Sequence, residues 1–222
     1  MTVFLEFYGV PGCGKSTVSH LVAEEIRKRK KEVCEPTYES DHNYSAIKRK
    51  AIKFLSLILF AAFRPRKYKQ LRTLIIDNGY RRLDLISQAA NIVPKLRVYE
   101  KSRSDYVIFD EGLTQSSISL CKGKRESAEN ETDLFDLCDN IKTVYKIYMK
   151  VDVDTAIARM SKRERHDSRI EKLKNEADQR KEIELFNQQC EQIDGDIISV
   201  DASKEIEVLK DCVINALAGK GI

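Results

Sequence analysis

An α/β fold, one parallel sheet flanked by helices, is what this chain predicts, on three observations. Short apolar runs of strand length alternate with longer stretches of helical period. The first of those runs ends directly in a glycine-rich turn that opens a helix. The 222 residues suit one large domain with a proper core and leave little room for a second.

Residues 2–8 are rich in β-branched and aromatic residues and read as a buried parallel strand. Helical spacing follows over residues 16–29, with Val18, Leu21, Val22 and Ile26 on one face. The basic run 28–31 falls where cations suit a helix C-terminus. Residues 32–36 read as a short second strand stopped by Pro36. Residues 45–63 read as a helix whose second half, 54–63, is almost wholly apolar. At about 15 Å that half is too short to span a bilayer. Lys48, Arg49, Lys50, Lys53, Arg64, Arg66 and Lys67 flank it. A core or dimer-interface helix is the expectation, and a membrane-surface helix is the alternative.

Residues 71–90 predict a further amphipathic helix, broken near Gly79. Residues 106–109 form a strand ending in Asp110 and Glu111. Residues 119–133 are polar and read as a loop. A strand over 144–151, helix formers over 154–191, a short strand over 196–200 and a closing amphipathic helix over 206–217 complete the order.

Composition excludes several classes. A net charge of +4 is mild; it does not call for nucleic acid and suits a protein that handles phosphates. Six cysteines form no CxxC pair and no zinc-spaced cluster, so reduced thiols in a cytoplasmic protein are expected. No signal-peptide pattern opens the chain.

The chemistry begins at Gly9-Val10-Pro11-Gly12-Cys13-Gly14-Lys15-Ser16-Thr17, which fits G-x-x-x-x-G-K-[ST] at every fixed position. It also lies between a strand and a helix, as a P-loop NTPase fold requires. The glycines let consecutive backbone N–H groups turn toward phosphate oxygens, and the helix N-terminus adds partial positive charge. Lys15 can reach the outer phosphates and Ser16 can ligate Mg²⁺, so Mg-ATP is the expected ligand. No Asn/Thr-Lys-x-Asp segment argues for guanine. Asp110, at the end of a neighbouring strand, is the expected second metal residue. Glu111 is a candidate general base for water or a hydroxyl. Arg159 and Arg163, four apart on one helical face, can neutralise charge on a transferring phosphoryl group.

With these residues in view, the chain resembles the nucleoside monophosphate kinase group, and within it thymidylate kinases most. The loop matches the group's G-x-P-G-x-G-K-[GST]-T form. The segment from Arg159 to Arg163, followed by Asp167-Ser168-Arg169-Ile170-Glu171, is similar to the thymidylate kinase lid, with one extra serine. The resemblance implies a lid over residues 155–171, ATP as donor, Arg159 and Arg163 as clamps, and adenine packed against the turn at Ala202. It further implies an acceptor-side helical region over residues 45–100. There Phe60 would be the platform under an acceptor base, Arg64 the anchor for its monophosphate, and Glu35, in a Glu-Pro step, a base or substrate contact. The chain departs from the pattern with Glu111 where an arginine is usual, and with a longer stretch between Arg64 and Asp110.

The functional expectation is an ATP-dependent kinase acting on a nucleotide-like acceptor such as a nucleoside monophosphate, dTMP included. The alternative is a P-loop ATPase or nucleotide switch that acts on a macromolecular partner. A homodimer and a membrane contact stay open, and no nucleic-acid partner is expected.

Overall fold

The computed structural model describes residues 2–121, 133–139, 143–163 and 168–221. In chain order the elements are β1 (Val3–Tyr8), α1 (Lys15–Lys28), β2 (Val33–Cys34), α2 (Pro36–Asn43), α3 (Ala46–Phe63), α4 (Pro65–Asp77), α5 (Arg82–Lys101), β3 (Tyr106–Phe109), α6 (Leu113–Leu120), a single 3₁₀ turn (Leu134–Leu137), β4 (Val144–Lys150), α7 (Val153–Ser161), α8 (Glu176–Glu191), β5 (Ile197–Asp201) and α9 (Ile206–Ala218). The five strands form one parallel sheet in the order β2-β3-β1-β4-β5. The predicted fold class is therefore the observed one.

The strands alternate between two apolar layers because successive side chains point to opposite faces. On one face Leu5, Phe7, Ile147, Met149 and Val200 pack with Val18 and Val22 of α1 and Leu209 and Val213 of α9. On the other, Phe4, Val107 and Phe109 pack with Leu71, Ile75, Leu96 and Leu113. β1 is central, paired with β3 on one side and β4 on the other. Chain connections leave it in opposite directions, which opens a crevice at the carboxyl ends of the strands.

Three expectations change. Residues 36–43 form a helix that the sequence reading left out, with Pro36 in its first turn. The polar stretch 119–133 begins on α6, and its remainder, 122–132, lies outside the described residues. Third, α3 is not a core helix. Of its residues only Ser56 and Leu57 are buried, while Ile47, Phe54, Leu55, Ile58 and Phe63 stand exposed. The predicted break at Gly79 is real, since α4 ends at Asp77 and Gly79 has φ +79°. All six cysteines are free. No described helix is long and apolar enough to cross a membrane.

Candidate active site

The phosphate loop curls tightly over the end of β1, between β4 and α7. Gly9 and Gly12 adopt φ +145° and +89°, which favour glycine. Space forbids a side chain as well: a Cβ at Gly9 would lie 2.7 Å from the Met149 carbonyl, and one at Gly12 2.7 Å from the Ala156 carbonyl. The Gly9 N–H donates to the Gln115 side-chain oxygen at 3.0 Å, which ties the loop to α6. Lys15 folds back over the loop, its ammonium donating to the carbonyls of Gly9 (2.9 Å) and Val10 (3.1 Å). The Cys13 thiol is fully buried beneath it.

Ser16, in the first turn of α1, and Asp110, at the end of β3, lie side by side. The Ser16 hydroxyl donates to Asp110 Oδ2 at 2.7 Å. Asp110 Oδ1 is buried and has no hydrogen-bond partner among the described residues. A shielded carboxylate oxygen without a donor is costly. Set beside a hydroxyl, it suits a hard cation, so these two residues fit a Mg²⁺ site shared with phosphate oxygens.

The loop carrying Asp110 is fixed from below. The Glu6 carboxylate, fully buried on β1, accepts from the backbone N–H of Leu113 (2.5 Å) and Thr114 (2.8 Å) and from the Tyr99 hydroxyl. A negative charge there also suits the N-terminus of α6. Burial and the neighbouring Glu6 hold the Tyr99 hydroxyl well above its usual pKa. Glu111, next to Asp110 in the chain, is exposed. Lys95 of α5 reaches under the loop to Gly112 O (3.2 Å) and Ser116 Oγ (2.8 Å), and burial lowers its pKa while Glu111, Glu6 and Asp110 oppose that shift.

Beside the Ser16–Asp110 pair lies a cleft of about 330 Å³, lined in part by Thr17, His20, Glu35, Tyr38, Asp41 and His42. Glu35 caps α2 at the end of β2 and is 2% exposed. Its carboxylate accepts from Arg27 at 2.6 Å and faces His20 Nδ1 at 3.0 Å. His20, Tyr38 and His42 stack in series, with ring centroids 3.9 Å apart at both steps. Glu35 thus belongs to the same site as the phosphate loop.

Phe60 and Arg64 do not. Phe60 packs against the core layer under α5. The Arg64 guanidinium is held by Glu100 (2.6 Å) and Asp139 (2.7 Å). Glu100 sits just before Ser102, whose carbonyl faces Thr2 at the start of β1. The phosphate loop lies at the far end of that strand, about 20 Å away. Sharing a helical face with Phe60 therefore does not bring Arg64 to the site.

At the end of β5, Arg159 donates to the carbonyls of Ala202 (2.7 Å) and Ser203 (3.3 Å), joining α7 to the turn after that strand. Ala202 is buried and donates to Lys150 O at 2.7 Å. Arg163 pairs with Glu171 at 3.2 Å, which links the two halves of the lid-like segment. Arg165, His166 and Asp167 lie outside the described residues.

Glu6, Lys95, Gln115 and His20 were not singled out from sequence. A carboxylate inside an apolar strand was the one available signal, at Glu6.

A five-stranded parallel sheet with a phosphate loop after its central strand is a P-loop fold. Among solved structures, a deoxyadenosine kinase from M. mycoides with products dCMP and a flexible dCDP bound is similar over 97% of this chain and 98% of that one, at 19% identity and a TM-score of 0.53. Two further structures of deoxyadenosine kinase from M. mycoides, with dCTP and with dATP, cover the same 97% of this chain and 99% of theirs, at 20% and 22% identity and TM-scores of 0.48. No family model and no curated protein sequence matches the chain.

Proposed function

We propose that this protein is an ATP-dependent kinase that phosphorylates a hydroxyl of a nucleoside-like acceptor. One observation carries the reading: the buried carboxylate of Glu35 shares a cleft with the Ser16–Asp110 pair of the phosphate loop. The fold likeness to a deoxyadenosine kinase supports it. Among the described residues, the cleft lining contains no Lys or Arg. A neutral acceptor therefore fits it better than the monophosphate that the sequence resemblance implied.

In this reading the loop amides and Lys15 hold the donor phosphates. Lys15 exchanges its two carbonyl partners for phosphate oxygens. Ser16 and Asp110 hold Mg²⁺, which when bound offsets the negative charge on the phosphates. Glu35, oriented by Arg27 and His20, accepts the proton of the acceptor hydroxyl. The His20–Tyr38–His42 stack forms one wall of the acceptor cleft. Arg159 fixes the turn at Ala202 against which adenine packs, and Arg163 swings from Glu171 to the transferring phosphoryl group. Glu111, exposed beside Asp110 in the chain, is the base in the alternative ATPase reading.

The test is ADP release from Mg-ATP, measured with nucleosides, with nucleoside monophosphates and with water alone. Stimulation by a nucleoside that is lost in Glu35→Gln supports the proposal. A rate that ignores every acceptor and depends on Glu111 moves the assignment to an ATPase. A rate stimulated by a monophosphate alone restores the monophosphate reading.

A further inference from the structure

The α3–α4 surface has no role in phosphoryl transfer as read above, and its chemistry is unlike the rest of the chain. Residues 42–76 contain nine of the 39 basic residues and none of the 35 acidic ones. The remainder of the chain therefore carries 30 basic residues against 35 acidic ones.

That segment folds into two packed helices. The outer side of α3, about 27 Å long, bears Ile47, Phe54, Leu55, Ile58 and Phe63, which are 82, 54, 56, 49 and 79% exposed. Four cations around it, Lys50, Arg66, Lys69 and Arg72, are exposed and make no ion pair or hydrogen bond among the described residues. Arg66, Lys69 and Arg72 recur every third residue along α4, away from its buried Leu71 and Ile75. An apolar stripe rimmed by unpaired cations is the pattern of a helix that lies in a bilayer interface. A second copy of the chain answers it poorly. Two such faces brought together would bury apolar surface, but they would also set cations against cations with no carboxylate between residues 42 and 76 to meet them.

We propose that the α3–α4 face docks on the surface of an anionic lipid bilayer, with the apolar side of α3 at the acyl boundary and the α4 cations on the headgroups. The proposal is independent of the kinase reading.

The experiment is flotation of the full chain with phosphatidylcholine vesicles, with and without phosphatidylglycerol, at low and high salt. Size-exclusion chromatography runs alongside. Binding is expected only with phosphatidylglycerol, and it weakens as salt rises. Lys50→Ala with Lys69→Ala should weaken it by roughly fivefold per cation removed, and Leu55→Ser with Ile58→Ser by at least about tenfold. These four residues are exposed, and circular dichroism verifies the fold of each variant. The two lipid compositions decide the matter on the wild-type chain even if a variant does not fold. Absence of flotation at low salt, equal binding to both vesicles, or unchanged binding in both folded variants would overturn the proposal. So would a solution dimer that Leu55→Ser with Ile58→Ser takes apart.

Discussion

Replacing Gly112 by alanine tests how the site loop is held. Gly112 has φ −84°, which any residue adopts, so the penalty is spatial. A methyl group there would run into the Glu6 carboxyl and come within 2.7 Å of its Cγ. A flexible acid at a surface would swing aside. Glu6 is fully buried and held by two backbone amides and a tyrosine hydroxyl, so it moves only by giving up some of those bonds. Each buried donor left unpaired costs about 1–3 kcal/mol, so Gly112→Ala should destabilise the fold by about 2–4 kcal/mol. For a domain of this size, a loss of 3 kcal/mol lowers Tm by about 6–12 °C. Because the same loop presents Asp110, kcat should fall as well. A double-mutant cycle with Glu6→Ala sharpens the test. Removing the carboxylate leaves the same donors unpaired and frees the space, so the combined loss should be smaller than the sum of the two single losses. Thermal and urea melts read both quantities. A Gly112→Ala protein with wild-type Tm, or fully additive losses, would refute this account of the loop.

Other predictions follow from the same geometry. Asp110→Asn should lower kcat by about 100-fold or more and raise the Mg²⁺ concentration needed for half-maximal rate; an unchanged Mg²⁺ dependence removes Asp110 from the metal site. Arg163→Ala should reduce kcat and leave the KM for ATP near wild type, whereas Arg159→Ala should also raise that KM because it releases the turn at Ala202. Arg64→Ala should cost about 1–2 kcal/mol of stability in a melt and leave the acceptor KM unchanged; a raised acceptor KM would return Arg64 to the site. Burial raises the Cys34 thiol from 9.0 to about 11 and the Cys138 thiol to about 12. The unfolded chain therefore releases these protons first, and the stability they contribute is full below about pH 9 and is lost as pH rises toward 11–12. Melts across that range check the sign, and alkylation of both thiols in the folded protein at pH 8 should be slow.

The legible part of the site was local. The loop glycines, Lys15 and Ser16 fall within nine consecutive residues, and their spacing alone builds a phosphate cradle. Asp110 was readable because an apolar run of strand length ends on it. The parts that sequence left hidden are set by contacts between distant residues. Glu6 finds its partners at Tyr99, Leu113 and Thr114, and Gly9 finds Gln115, at separations of 93–108 residues. No local pattern encodes those pairings. Phe60 and Arg64 failed for a related reason. Helical spacing establishes that they share a face, but not which end of the sheet that turn of α3 reaches. α3 itself reads as apolar enough for a core, and its exposure became visible only once α4 and α5 had covered the sheet beneath it.

The central claim is transfer of a phosphoryl group to a hydroxyl acceptor, and following the γ-phosphoryl group itself tests it most directly. Mg-ATP labelled at that position is incubated with the protein and a panel of nucleosides, and the products are separated. The account predicts label in a nucleoside monophosphate, with none gained by Glu35→Gln. Label found only in inorganic phosphate, at a rate no nucleoside alters, would contradict it.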